Sequence, residues 1–150
     1  MDELRDLYQA TILDHNRKPR NFRIIEPPDR SANGHNPICG DKLVIFLTLD
    51  EDRVTDVAFQ GAGCAISVAS ASLMTDYARG KTLAEIEFEF ERFHQMVTSA
   101  PDVPVDTQAI GKLAVFSGVR EFPMRVKCAT LAWHTLRAAL EQDNSVARTE

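Results

Sequence analysis

The chain has 150 residues, 44% hydrophobic and 26% charged, a balance that predicts one globular domain with a single core. A net charge of −5 and the lack of a basic stripe argue against nucleic-acid binding. No apolar run approaches the ~20 residues of a membrane span, and the acidic N-terminus is unlike a secretory signal. We therefore expect a cytoplasmic protein with reduced thiols and no membrane partner.

The first half of the chain predicts one helix and one β-hairpin. Apolar residues recur every three or four positions over 2–15, which indicates an amphipathic helix. The prolines and glycines of 16–37 predict a long irregular crossing. Alternating hydrophobic residues predict strands over 42–49 and 54–60, and the polar turn between them predicts an antiparallel hairpin.

The second half of the chain predicts helices. Small residues over 66–79 predict a helix that packs closely on its neighbours, and its serines are interpreted as packing residues. The capping box over 82–85 opens a strongly amphipathic helix. Asp106 is expected to cap a short helix that ends at Leu113, and a last helix is predicted over 124–142.

This order of elements indicates an α+β fold. We expect several helices packed against a small antiparallel sheet of about three strands, in a single domain over residues 1–150. The polar residues 143–150 are predicted to be a disordered tail.

Three cysteines carry the predicted chemistry. Cys39 and Asp41 lie two positions apart, so on an extended chain their side chains point the same way, and Gly40 between them leaves room for a close approach. Cys64 and Cys128 are predicted at or near helix N-termini, where the dipole favours a thiolate. Three thiolates and one carboxylate suit a tetrahedral zinc site, and iron fits such ligands equally.

Other interpretations stay open at this point. Any one of the cysteines, taken alone, is better explained as a small buried hydrophobic residue than as a metal ligand. The four histidines also remain possible metal ligands. His94 and His134 lie in the later predicted helices and are expected to be exposed or structural, whereas His15 and His35 could approach the site from the long loop.

Three segments resemble the cysteine motifs of the iron–sulfur cluster assembly proteins of the IscU/NifU N-terminal type. They are residues 36–41 (NPICGD), 61–67 (GAGCAIS) and 127–129 (KCA). Within that family the chain is more similar to the SufU branch. Lys127 stands where the classical scaffold carries a histidine, and the stretch 101–118 looks like the insertion of the SufU branch.

The resemblance implies a ligand set and a reaction. It implies that zinc is bound by Cys39, Asp41, Cys64 and Cys128. It also implies that Cys39 accepts sulfane sulfur from a SufS-type cysteine desulfurase, whose histidine takes the place of that thiolate on the zinc. The sulfur then passes to downstream iron–sulfur scaffold proteins. The predicted function is therefore that of a zinc-dependent sulfurtransferase.

Two cations precede the third cysteine, and two alternative functions remain. Arg125 and Lys127 are predicted to pair with the negative charge of the site, although Arg125 is almost equally well explained as an ordinary surface cation. The first alternative is a scaffold that holds a transient [2Fe–2S] cluster, against which Lys127 weighs. The second is a zinc site that only stabilises the fold, against which Asp41 weighs because structural zinc prefers closed Cys and His shells.

Overall fold

The computed structural model describes residues 2–141 and 147–148. The described residues form three antiparallel strands, five α-helices and one long 3-10 helix. The strands are β1 Arg30–Asn36, β2 Asp41–Asp50 and β3 Arg53–Ala62. The helices are α1 Asp2–Arg17, α2 Ala65–Ala78, α3 Leu83–Thr98, α4 Thr107–Ile110 and α5 Pro123–Leu140, and the 3-10 helix spans Gly111–Glu121.

The sheet has β2 at its centre. β1 and β3 pair with β2 on either side, both antiparallel, and the two-residue strand β4 (Ala147–Arg148) pairs with β1 in parallel. Alternate residues of β2, including Leu43, Ile45 and Leu47, are buried, as the sequence alternation predicts. The predicted α+β class and the small antiparallel sheet are confirmed.

Strand β1 was not predicted, and the assignment of 16–37 as irregular is wrong over Arg30–Asn36. The strand sequence, RSANGHN, is polar and lacks the alternation of large apolar residues that marks a strand. Helix α5 packs directly against it. A Cβ atom at Gly34 would lie 1.9 Å from the Thr135 Oγ1 atom, so only the smallest residue fits there. Because α5 packs so closely on β1, the strand has a small residue where a large apolar one would have indicated a strand.

The helices agree with the sequence pattern except near Leu113. The capping box is present, since Thr82 accepts the Glu85 N–H at 3.1 Å and the Glu85 carboxylate accepts the Thr82 N–H at 2.9 Å. The short helix predicted to run to Leu113 ends as an α-helix at Ile110. The chain then continues as the 3-10 helix to Glu121. No helix in the described part of the chain is long and apolar enough to cross a membrane.

Helices α2 and α5 pack against each other over the sheet. The Ser70 hydroxyl donates to the Ala129 carbonyl at 2.6 Å, which confirms Ser70 as a packing residue. Trp133 of α5 stacks on Phe93 of α3, with ring centroids 5.2 Å apart. The predicted disordered tail, 143–150, lies outside the described residues except for the two that form β4.

Candidate metal centre

Four parts of the chain meet at one end of the sheet. They are the turn over 37–40, the first residue of β2, the junction between β3 and α2, and the second turn of α5. The turn is closed by a hydrogen bond from the Gly40 N–H to the Asn36 carbonyl at 2.8 Å. Gly40 adopts a φ of 75°, which few other residues tolerate. Cys39, within this tight turn, is exposed, and Asp41, which follows the turn, is buried.

Asp41 is completely buried, and its carboxylate has one fixed oxygen. The Asp41 Oδ1 atom accepts the Cys64 N–H at 2.9 Å, and Oδ2 lies 3.9 Å from the Cys64 Sγ atom. The chain passes this carboxylate very closely, because a Cβ atom at Gly63 would lie 2.6 Å from Oδ1. The glycine before the second cysteine thus makes room for the buried carboxylate.

Two of the three sulfurs are in contact. The Cys39 and Cys128 Sγ atoms lie 3.4 Å apart, with Cys39 exposed and Cys128 only 3% exposed. Ligand atoms of Cys39, Asp41 and Cys128 all lie within 4.8 Å of one another. Among the described residues this is the one such group of His, Cys, Asp or Glu side chains, and no histidine belongs to it.

Cys64 is adjacent to this group. It is the N-cap of α2, and its exposed sulfur accepts the Ser67 N–H at 3.5 Å. Ser67 lies one turn further along α2. Its hydroxyl is buried and has no hydrogen-bond partner among the residues that the structure describes, whereas buried polar groups normally have one.

Burial controls the ionisation of Cys128 in the metal-free protein. Burial, followed by the neighbouring Cys39 and Cys64 thiols, raises the pKa of Cys128 far above its ordinary value. This burial opposes the thiolate that the helix N-terminus was predicted to favour. Cys128 is the sixth residue of α5, and the helix dipole acts mainly within the first turn.

The donor set fits a thiophilic cation such as zinc. With zinc–sulfur bonds of about 2.3 Å, two sulfurs of a tetrahedral site lie about 3.8 Å apart, close to the observed 3.4 Å between Cys39 and Cys128. Three thiolates and a carboxylate carry a formal charge of about −4, which a divalent cation reduces to about −2. The geometry and the charge of these residues are therefore suited to a metal.

The family match now identifies the chain. The sequence model described as "NifU-like N terminal domain" matches residues 7–129. The chain belongs to this family. It is a NifU-like domain of the iron–sulfur cluster assembly proteins.

Relatives of this NifU-like domain carry two different names. It is 36% identical over 138 residues to the "Zinc-dependent sulfurtransferase SufU" of Bacillus subtilis strain 168, which covers 91% of each chain. It is 35% identical over 142 residues to the "Iron-sulfur cluster assembly scaffold protein IscU" of Streptococcus pyogenes serotype M1, which covers 95% of this chain and 87% of that protein. The predicted family is confirmed, and the relatives divide between its branches.

A solved structure supports the same relationship. The crystal structure of FiSufU from Fervidobacterium islandicum AW-1, described as a candidate scaffold for the SUF system, superposes with a TM-score of 0.80 at 34% identity. The match covers 87% of this NifU-like domain and 93% of that chain. The α+β fold is therefore shared with that protein.

The two predicted cations of this NifU-like domain lie against other groups. The Arg125 guanidinium lies over the Phe122 ring at 4.9 Å from its centroid. Lys127 lines a cavity of about 380 Å³ together with His94 and His134. Neither side chain makes a hydrogen bond or ion pair with a cysteine or with Asp41 among the described residues, and their catalytic roles stay a prediction.

The histidines lie in other surroundings. The His15 Nδ1 atom is 2.7 Å from the Ser72 hydroxyl, in the part of α2 that lies C-terminal to Cys64. His94 and His134 pack around Phe90, with ring centroids 6.0 and 5.2 Å from it, as expected for structural residues. His35 lies on β1 opposite Lys42.

One residue of the centre was missed from the sequence. Asn36 is completely buried, its Nδ2 atom lies 3.8 Å from the Cys128 Sγ atom, and its Oδ1 atom accepts the Ile38 N–H at 3.2 Å. It stands at the start of the first cysteine motif, so its position was visible. Its contact with Cys128 was not, because the two residues are distant in the chain.

Proposed function

We propose that this protein is a zinc-dependent sulfurtransferase of the SufU branch, which accepts sulfur on Cys39 for iron–sulfur cluster assembly. The name of the Bacillus subtilis relative supports this branch. Lys127, in the position of the scaffold histidine, and the long segment that includes the 3-10 helix support it further. We propose a SufS-type cysteine desulfurase as the donor and downstream iron–sulfur scaffold proteins as the recipients.

The observation that carries the choice of Cys39 is its accessibility. Cys39 is an exposed residue, and no N–H group of the described residues donates to its sulfur. Cys64 is also exposed, but its sulfur caps α2 and accepts the Ser67 N–H. Cys128 is buried. Of the two exposed cysteines, Cys39 is the one whose sulfur does not cap a helix, so we infer that it is the best placed nucleophile of the three.

The transfer is a thiol–disulfide type of exchange. The Cys39 thiolate attacks the terminal sulfur of a persulfide on the donor enzyme. A new sulfur–sulfur bond forms on Cys39, the sulfur–sulfur bond of the donor breaks, and the donor cysteine leaves as a thiolate. No oxidant or reductant is consumed, because one persulfide replaces another.

The remaining residues of the centre hold the acceptor in place. Cys39, Asp41, Cys64 and Cys128 are the proposed zinc ligands, and when bound the zinc keeps the thiolates deprotonated and unreactive until a partner docks. Cys64 fixes Asp41 through its N–H, as described above. Ile38, 55% exposed next to Cys39, offers an apolar contact to the docked donor.

Analysis of metal and acid-labile sulfide in protein purified without air distinguishes a zinc-dependent sulfurtransferase from an iron–sulfur scaffold. The proposal predicts about one zinc per chain and no sulfide. Iron with matching sulfide and a visible absorption band would overturn it.

Replacement of Cys39 by serine is expected to abolish sulfur acceptance from the desulfurase, and retained acceptance would show that another cysteine is the acceptor.

The second candidate function is a scaffold for a transient [2Fe–2S] cluster. The Streptococcus pyogenes relative, with its scaffold name, favours it. The family resemblance predicts that loss of the carboxylate in Asp41→Ala stabilises a bound cluster in a scaffold. A brown Asp41→Ala protein that retains iron and sulfide would therefore support the scaffold, and a colourless zinc protein would support the sulfurtransferase.

A further inference from the structure

Asn36 is joined to both halves of the cysteine centre. Its Oδ1 atom accepts the Ile38 N–H inside the turn that carries Cys39, and its Nδ2 atom lies at hydrogen-bond distance from the Cys128 sulfur on α5. Its carbonyl accepts the Gly40 N–H, which closes the same turn. One completely buried side chain therefore links the turn that carries Cys39 to the helix that carries Cys128.

We propose that Asn36 is a positioning residue that sets the separation of the Cys39 and Cys128 sulfurs and thereby the affinity of the metal centre. The proposal rests on the zinc site of the proposed function. An amide is suited to this task because it offers a donor and an acceptor on one rigid plane. Burial strengthens this constraint, because a buried amide without hydrogen-bond partners raises the free energy of the folded state by its desolvation.

The two sulfurs come from elements that are distant in the chain. Cys39 lies in a tight turn, and Cys128 lies 89 positions further along the chain. Hydrogen bonds to metal-ligating groups hold them in the orientation that a metal requires, and their loss typically weakens metal binding 10- to 100-fold. Asn36 is placed to do this for Cys128 directly and for Cys39 through the turn.

Two substitutions separate the two contacts. Asn36→Asp, measured at pH 8, keeps the oxygen that accepts the Ile38 N–H but removes the donor to Cys128. Asn36→Ala removes both. The matched control is Asn33→Ala, on the same strand, where the side chain is exposed. Zinc affinity is measured by competition with a chelator, and hydrogen exchange is followed at the Ile38 amide.

The expected results differ between the variants. Asn36→Asp is predicted to bind zinc about tenfold more weakly with an Ile38 amide that stays protected. Asn36→Ala is predicted to lose between tenfold and 100-fold in affinity and to lose that protection. Asn33→Ala is predicted to stay within about twofold of the parent protein.

A double-mutant cycle tests whether the effect passes through Cys128. In a Cys128→Ala background, Asn36→Asp is predicted to change zinc affinity by less than about twofold, because the sulfur that it serves is absent. An equal loss in both backgrounds would overturn the proposal, since the substitution would then act through the fold. Zinc affinity unchanged in both Asn36 variants would also overturn it. A parent protein that does not bind zinc would instead overturn the proposed function.

Discussion

Helix α2 contacts two clusters of buried polar groups, and the clusters differ in whether those groups have partners. Towards its C-terminal half, the Ser72 hydroxyl accepts the Arg20 N–H at 2.8 Å and contacts the His15 Nδ1 atom, while Thr75 donates to the Ser72 carbonyl at 2.8 Å. At its N-terminus, the Ser67 hydroxyl has no partner among the described residues, and the ligand atoms of Cys39, Asp41 and Cys128 lie within 4.8 Å of one another.

The two clusters also differ in the chemistry of their side chains. Paired hydroxyl, imidazole and backbone groups form a network that stabilises the fold. An unpaired buried hydroxyl such as that of Ser67 contributes no such bond. The thiol and carboxylate donors lie at the N-terminal cluster, which is where we propose that a metal binds.

The largest effect is expected from Gly63→Ala. The added Cβ atom would lie 2.6 Å from the Asp41 Oδ1 atom, so the buried carboxylate must move away from the Cys64 N–H that fixes it. We expect zinc affinity to fall about 100-fold, or about 2.7 kcal/mol. The control is Gly118→Ala, where an added Cβ atom meets open space. Equal zinc affinity in the two variants, measured by chelator competition, would show that Asp41 is not held as described.

The next effect compares two buried serines of α2. Ser72→Ala leaves the buried His15 ring and the Arg20 N–H without their partner, so we expect the metal-free protein to lose about 2 kcal/mol of stability. Ser67→Ala removes a hydroxyl that has no partner, so its expected cost is below about 0.5 kcal/mol.

Urea unfolding of the metal-free proteins measures both changes. Zinc affinity is expected to be unchanged in Ser72→Ala, because its network lies away from the cysteines. Two equally destabilised variants would contradict the distinction between a complete cluster and an incomplete one.

The smallest effect concerns pH and the complete cluster. Burial, and then the charge of Arg20, lowers the pKa of His15 below its ordinary value of 6.5. The neutral ring is therefore favoured in the folded state, so its contribution to stability is present above pH 6.5 and is lost as pH falls below it. His15→Gln is expected to reduce the loss of stability between pH 7 and pH 5, by at most about 1.4 kcal/mol per pH unit.

Unfolding curves at several pH values measure this change. The pKa of His134 is also lowered by burial, so part of the pH dependence is expected to remain in His15→Gln. A pH dependence identical to that of the parent protein would show that His15 is not held neutral by its contacts.

The elements with local signals were predictable from the sequence, and those fixed by distant packing were not. The alternation of β2 and the capping box at Thr82 depend on neighbours in the chain, and both were found. Strand β1 is defined by its pairing with β2. Helix α5 approaches it so closely that position 34 holds glycine and not a large apolar residue.

The same division holds for the metal centre. The cysteines and Asp41 were identified by residue type and motif, because their chemistry is visible in the sequence. The burial that raises the pKa of Cys128 depends on the packing of α5 and was not visible. The roles of Asn36 and Gly63 depend on contacts with Cys128 and Asp41, which are distant from them in the chain, so no local sequence pattern predicts these contacts.

Peptide mass spectrometry after incubation with a SufS-type desulfurase and cysteine tests whether Cys39 is the sulfur acceptor. One added sulfur is expected on the peptide that contains Cys39 in the parent protein, and none in Cys39→Ser. Added sulfur on the Cys64 or Cys128 peptide instead, or none on the parent protein, would contradict the assignment of Cys39 as the exposed acceptor of the centre.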